Sequence, residues 1–98
     1  MNATVKIEVP SSDKEVWKTA HLFSKKISLP TGFQLKVVRA VAKNEKAICL
    51  VLNTKPDDVL GKEGYILEVH PARIKILANK PAGIFYGMQT LMQLLPSD

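Results

Sequence analysis

Cysteine, histidine and aromatic residues are scarce in this chain: one, two and six of 98 residues. A single cysteine, Cys49, excludes an internal disulfide. It lies within the apolar run Ala47-Ile48-Cys49-Leu50-Val51-Leu52, which reads as the setting of a buried structural thiol. A reactive thiol needs exposure and a cationic neighbour, and the adjacent sequence supplies neither. His21 and His70 are far apart, form no ligand spacing with Cys49, and are joined by no CxxC or HExxH motif. No metal site and no cofactor are therefore expected.

Long apolar runs are also missing. No stretch reaches the roughly 18 residues a membrane-spanning helix needs, so no membrane insertion is expected. The first ten residues, MNATVKIEVP, contain no apolar core of a secretory signal. The net charge is +5, from 14 basic and 9 acidic residues. The basic residues are spread along the sequence, and Lys25-Lys26 is their longest run. A nucleic-acid binder gathers such residues into a patch or stripe. The excess reads as a solvated surface, and nucleic acid is not an expected partner.

The residues present describe a small α+β fold. A length of 98 residues suits one domain, able to bury about 60–70% of its unfolded surface. Thr4 to Val9 alternates Val5, Ile7 and Val9 against Lys6 and Glu8, a strand with one wet face. Pro10 ends it, and Ser11 or Ser12 can cap a helix over residues 13–28. Val16, Ala20, Phe23 and Ile27 form that helix's apolar stripe, with Lys14, Lys18, His21 and Lys25 opposite. Pro30 and Gly32 close it. Phe33 to Val38 alternates again. Ala47 to Leu52 is apolar on both faces, as expected of a central strand covered on both sides. Tyr65 to His70 and Arg73 to Ala78 read as a hairpin about His70-Pro71-Ala72. A last helix begins at Pro81 and stops at Pro96. The order is β-α-β-β-β-β-α, one mixed sheet with both helices packed on one face.

Candidate catalytic groups are few. Asp57 and Asp58 are adjacent in a polar loop. A catalytic carboxylate pair needs two environments that split its pKa values, so these read as turn residues. Gly61-Lys62-Glu63-Gly64 lacks the GK[ST] ending of a phosphate loop and leads into a strand. No catalytic residue is assigned.

The last helix is the unusual element. Seventeen residues, Pro81 to Ser97, in a chain that is 23% charged should carry about four charges, and they carry none. Ile84, Met88, Leu91 and Leu95 fall on one face, within about 40 degrees on a helical projection. Tyr86, Gln89, Thr90 and Gln93 fall opposite. A helix lying on a membrane surface would carry lysines there. Uncharged polar side chains can instead hydrogen-bond across a protein contact without the desolvation cost of a charge. Tyr86, Gln89, Thr90 and Gln93 are therefore candidates for an interdomain interface. Gly83 and Gly87, four apart, cost helix stability. They clear a flank either for the chain's own sheet or for another backbone.

Gly64 to Pro96 carries the features Gly64-Tyr65, Leu67, Val69, Ile74, Ile76 and Ala78. They are followed by Ala82-Gly83, Phe85-Tyr86-Gly87, Gln89-Thr90-Leu91 and Gln93-Leu94-Leu95. This stretch resembles the end of the small domain that precedes the catalytic barrel in family 20 glycoside hydrolases, the β-N-acetylhexosaminidases. The earlier part fits the same domain in order and length, with weaker motifs. The resemblance implies a non-catalytic α+β domain followed by a (β/α)8 barrel. That barrel would carry an Asp-Glu pair and hydrolyse terminal N-acetylglucosamine or N-acetylgalactosamine with help from the substrate's own acetamido oxygen. It implies the barrel of the same parent chain as partner, contact with glycan only through that barrel, and a periplasmic or secreted parent. The uncharged helix face is then the surface that meets the barrel. Two alternatives remain open. One is the equivalent domain of another glycosidase, such as an α-glucuronidase or an enzyme removing O-linked N-acetylglucosamine. The other is a free-standing carbohydrate- or nucleic-acid-binding module, in which Trp17 and Tyr86 would be the aromatic platforms.

Overall fold

Seven elements follow one another in the computed structural model, which describes residues 4–31, 34–41 and 45–94. They are β1 (Thr4–Glu8), α1 (Lys14–Thr31), β2 (Gln34–Val38), β3 (Ala47–Leu52), β4 (Tyr65–Val69), β5 (Arg73–Ala78) and α2 (Pro81–Leu94). The order is the one expected. The expected roles of Gly32, Phe33, Leu95 and Pro96 lie outside the described residues.

The five strands form one mixed sheet in the order β2-β1-β3-β5-β4. β1 pairs in parallel with β2 and β3, β3 pairs in parallel with β5, and β4 is antiparallel to β5. α1 is the crossover that a parallel β1–β2 pair requires. The β4–β5 hairpin closes through His70 and Arg73, whose backbone groups bond each other in both directions at 2.7 and 3.3 Å. Pro71 sits in that two-residue turn, where its missing N–H costs no ladder bond.

Register sorts the side chains. Ile7, Ile48, Leu50, Ile76 and Ala78 point to one face, where they meet Val16, Ala20, Phe23 and Ile27 of α1 and Ile84, Met88 and Leu91 of α2 in a single core. Phe23 also packs edge-on against Phe85, ring centres 5.5 Å apart, so the two helices touch over the sheet.

β3 is central and its first four residues are buried, as its sequence predicts. What covers its second face is not a helix. Glu8 projects from β1 on that side, where its Oε1 accepts the Cys49 thiol at 3.1 Å and its Oε2 accepts the Val41 amide at 2.9 Å. Lys6 Nζ meets Glu45 Oε2 at 2.6 Å. The described parts of the β2–β3 connection thus lie over β1 and, with Arg73, close off Ala47 and Cys49.

Two helix boundaries differ from expectation. α1 begins at Lys14, and its cap is Asp13 rather than Ser11 or Ser12. The Asp13 Oδ1 accepts the amides of Glu15 and Val16 at 2.8 and 3.2 Å, whereas the Ser11 hydroxyl accepts the Asp13 amide one step upstream. A carboxylate that reaches two first-turn donors is the stronger cap. α1 also runs through Pro30 to Thr31 instead of closing at Ser28. A proline in the last turn forfeits one backbone bond without having to break the helix there.

Candidate functional site

α2 starts at Pro81, whose missing amide is no loss in a first turn. The Gly83 and Ile84 amides donate to the Lys80 carbonyl at 3.0 and 3.4 Å. Ile84, Met88 and Leu91 are buried in the core, and so are Gly83 and Gly87.

Both glycines face the chain's own sheet. A Cβ on Gly83 would stand 2.4 Å from the Gly64 carbonyl oxygen and 2.7 Å from the Ala78 Cβ. A Cβ on Gly87 would stand 2.5 Å from the Ile76 Cγ2 and 3.3 Å from the Tyr65 ring. The backbone that approaches closely is therefore that of Gly64, and the glycines set the depth at which α2 beds into β4 and β5. The Tyr65 and Thr90 hydroxyls are hydrogen-bonded to each other on this flank.

Gly64 is itself held by a loop that the sequence shows only as polar. Asn79, between β5 and α2, gathers that loop with all four hydrogen-bonding positions of its amide. Its Oδ1 accepts from Asn53 Nδ2 at 3.0 Å and from the Asp57 amide at 2.8 Å. Its Nδ2 donates to the carbonyls of Asp57 and Gly61 at 2.7 and 2.9 Å. Asp57 is a turn residue here, its Oδ1 accepting the Val59 amide at 3.0 Å. Gly61 takes φ +62°, which glycine adopts without strain. Asn79→Ala removes all four side-chain bonds, so we expect a loss of about 1–3 kcal/mol in stability. Amide exchange should quicken across residues 57–61 first. Unchanged exchange there would show that the loop does not depend on Asn79.

With its inner face and one flank fixed, α2 presents Tyr86, Gln89 and Gln93 outward. Tyr86 is 42% exposed, and both glutamines are exposed. Thr90 is half-buried at the edge of that face because of its bond to Tyr65. The Tyr86 ring packs edge-on to Phe85 at 5.9 Å, which limits its freedom. Leu22 of α1 is likewise exposed, at 43%, on the outer side of that helix. Sequence reasoning missed Leu22 by treating the outside of α1 as uniformly wet. Its signal was an isolated leucine off the core stripe between His21 and Lys25.

The face offers hydrogen-bonding groups and apolar surface but no carboxylate, imidazole, thiol or cation. Elsewhere, burial pushes the Cys49 thiol above its ordinary value, and its hydrogen bond to Glu8 adds to the rise. The thiol therefore stays protonated and is a poor nucleophile. Among the described residues, no group of three or more His, Cys, Asp or Glu side chains could hold a metal ion. No helix among them is long and apolar enough to cross a membrane.

The family model described as glycosyl hydrolase family 20, domain 2, matches residues 1–98. A curated beta-hexosaminidase of Porphyromonas gingivalis is 31% identical over 87 residues, which is 89% of this chain and 11% of that protein. Among solved structures, the Streptomyces plicatus N-acetyl-beta-hexosaminidase is 35% identical with a TM-score of 0.77, over 93% of this chain and 17% of that one. The family 20 beta-N-acetylhexosaminidase of Streptomyces coelicolor A3(2) is 30% identical with a TM-score of 0.76, over 96% and 17%. This sequence thus spans only a small part of the length of the relatives it matches. The chain belongs to glycosyl hydrolase family 20, as its domain 2.

Proposed function

We propose that this chain is the non-catalytic supporting domain of a β-N-acetylhexosaminidase-like glycosidase, and that the outer face of α2 is its contact with the catalytic barrel of the same parent. One observation carries the reading: Tyr86, Gln89 and Gln93 stand exposed on a 14-residue helix that has no charged side chain. An exposed face without charge suits a surface that another protein layer desolvates. The fraction of the relatives' length that the chain matches supports a larger parent.

In this reading the chain does no chemistry. It holds the barrel's contact surface rigid, through Asn79, Gly64 and Gly83. The barrel binds the terminal N-acetylhexosamine. There the acetamido oxygen attacks the anomeric carbon while a glutamic acid protonates the leaving oxygen. Glycan meets the catalytic residues only in that barrel, and the parent is placed in the periplasm or outside the cell. The test is direct. The 98-residue chain and the longest natural chain containing it are assayed on a chromogenic N-acetylglucosaminide. The expected result is no turnover by the first and ready turnover by the second. Turnover by the 98 residues alone, or none by the longer chain on N-acetylglucosaminide or N-acetylgalactosaminide, overturns the proposal.

A further inference from the structure

The structure brings Trp17 and Arg39 to the row of cations on the outer side of α1. Ser12, Lys14, Trp17, Lys18, His21, Leu22 and Lys25 join Arg39, from beyond β2, around an open groove of about 830 Å3. Four of its eight lining residues are permanent cations and none is an acid. Among the described residues, the carboxylate that pairs with one of these lysines is that of Glu15, 3.8 Å from Lys18, with both side chains mostly in water. Such an exposed pair holds Lys18 only weakly.

The floor is aromatic and fixed. The Trp17 indole N–H donates to the Ser11 carbonyl at 2.7 Å, which sets the ring's angle. The Arg39 guanidinium lies over the ring at 5.8 Å, and the His21 ring lies 6.1 Å from it. Along α1 the cations Lys14, Lys18 and Lys25 cover about 16 Å at 1.5 Å per residue. The groove is therefore a strip with one indole in its floor and a cationic rim. Arg39, one residue past β2, forms the rim of the groove on the β2 side.

We infer that this groove binds an anionic oligosaccharide, one whose sugar rings carry sulfate or carboxylate groups. The C–H face of a sugar stacks on an indole, and its anions pair with the lysines and Arg39. A single-stranded nucleic acid would want successive aromatic platforms for successive bases, and here there is one indole with one small neighbour. The choice of a saccharide rests on the glycosidase reading of the parent. The site itself is separate from the α2 face, so either can fail alone.

The natural full-length chain is titrated by calorimetry with three tetrasaccharides that present no terminal N-acetylhexosamine to the barrel: chondroitin sulfate and hyaluronan, each ending in a uronic acid at its non-reducing end, and neutral cellotetraose. Binding of both anionic sugars but not of cellotetraose is expected. If chondroitin sulfate alone binds, sulfate is the recognised group; if both bind equally, carboxylate suffices. Either result supports the site, provided that Lys14, Lys18 and Lys25 are protected from acetylation by the ligand while Lys55 and Lys62 are not. Lys18→Gln and Lys25→Gln, both at exposed positions, should each weaken binding about threefold. Arg39→Gln should do so at least as much, and Trp17→Phe keeps a ring if Trp17→Ala does not fold. Turnover of a neutral N-acetylglucosaminide should be unchanged in all of these. Four results overturn the inference: equal binding of cellotetraose, no binding of either anionic sugar, lysine protection elsewhere, or tighter binding of a single-stranded oligonucleotide of equal charge.

Discussion

Gly83→Ala is expected to lower the stability of the chain by about 1–3 kcal/mol, although alanine is the better helix former by about 1 kcal/mol. The new methyl would lie 2.4 Å from the Gly64 carbonyl oxygen and 2.7 Å from the Ala78 Cβ. Gly64 cannot yield freely, because its amide is bonded to the Leu60 carbonyl at 2.9 Å in a turn that Asn79 holds. Overpacking a site bounded by backbone moves whole elements rather than one rotamer. Gly87→Ala should cost less, since its first contact is a methyl of Ile76, and a side chain can shift. The order of the two losses is the sharper test. A urea midpoint that is higher for Gly83→Ala than for the parent sequence would mean that α2 does not bed on Gly64. In a domain of this size, each kcal/mol should move the melting temperature by about 4–8 °C.

This contact also marks where sequence reading stops. The limits of β3, β5 and the start of α2 were legible because alternation and proline act locally. The core stripe of α1 was legible for the same reason. The partner of Gly83 was not, because a glycine four residues from another serves a sheet as well as a foreign helix. Only the placement of Gly64 decides between them. The cover over Cys49 was hidden likewise. Glu8 reads as the wet face of an alternating strand, and its carboxylate becomes a bridge only when β3 and Val41 are brought to it. The basic residues give the third case. Lys14, Lys18 and Lys25 were legible as one side of α1, but only the return of the chain through β2 brings Arg39 to the same groove. The lack of charge on α2 was legible, because it needs no tertiary information, but the turn of Thr90 toward Tyr65 was not.

That face carries the second large effect. Gln89→Glu changes an amide to a carboxylate of nearly the same shape, so it tests charge alone. On the 98-residue chain Gln89 is exposed, and the substitution should shift stability by no more than about 0.5 kcal/mol. In the longer natural chain, a barrel seated on α2 would bury that carboxylate without a partner. The penalty for an uncompensated buried charge is about 3 kcal/mol or more. The long chain should then lose hexosaminidase activity on heating at a markedly lower temperature, while its turnover in the cold changes little, because no catalytic group has moved. Gln89→Ala supplies the control. It removes a hydrogen-bonding side chain without adding charge, so its effect in the long chain should be the smaller of the two. Equal, small shifts for Gln89→Glu in both chains would mean that the outer face of α2 remains in water. The uncharged helix would then require a different partner from the barrel. A loss confined to the longer chain would locate on α2 a contact with the rest of that chain.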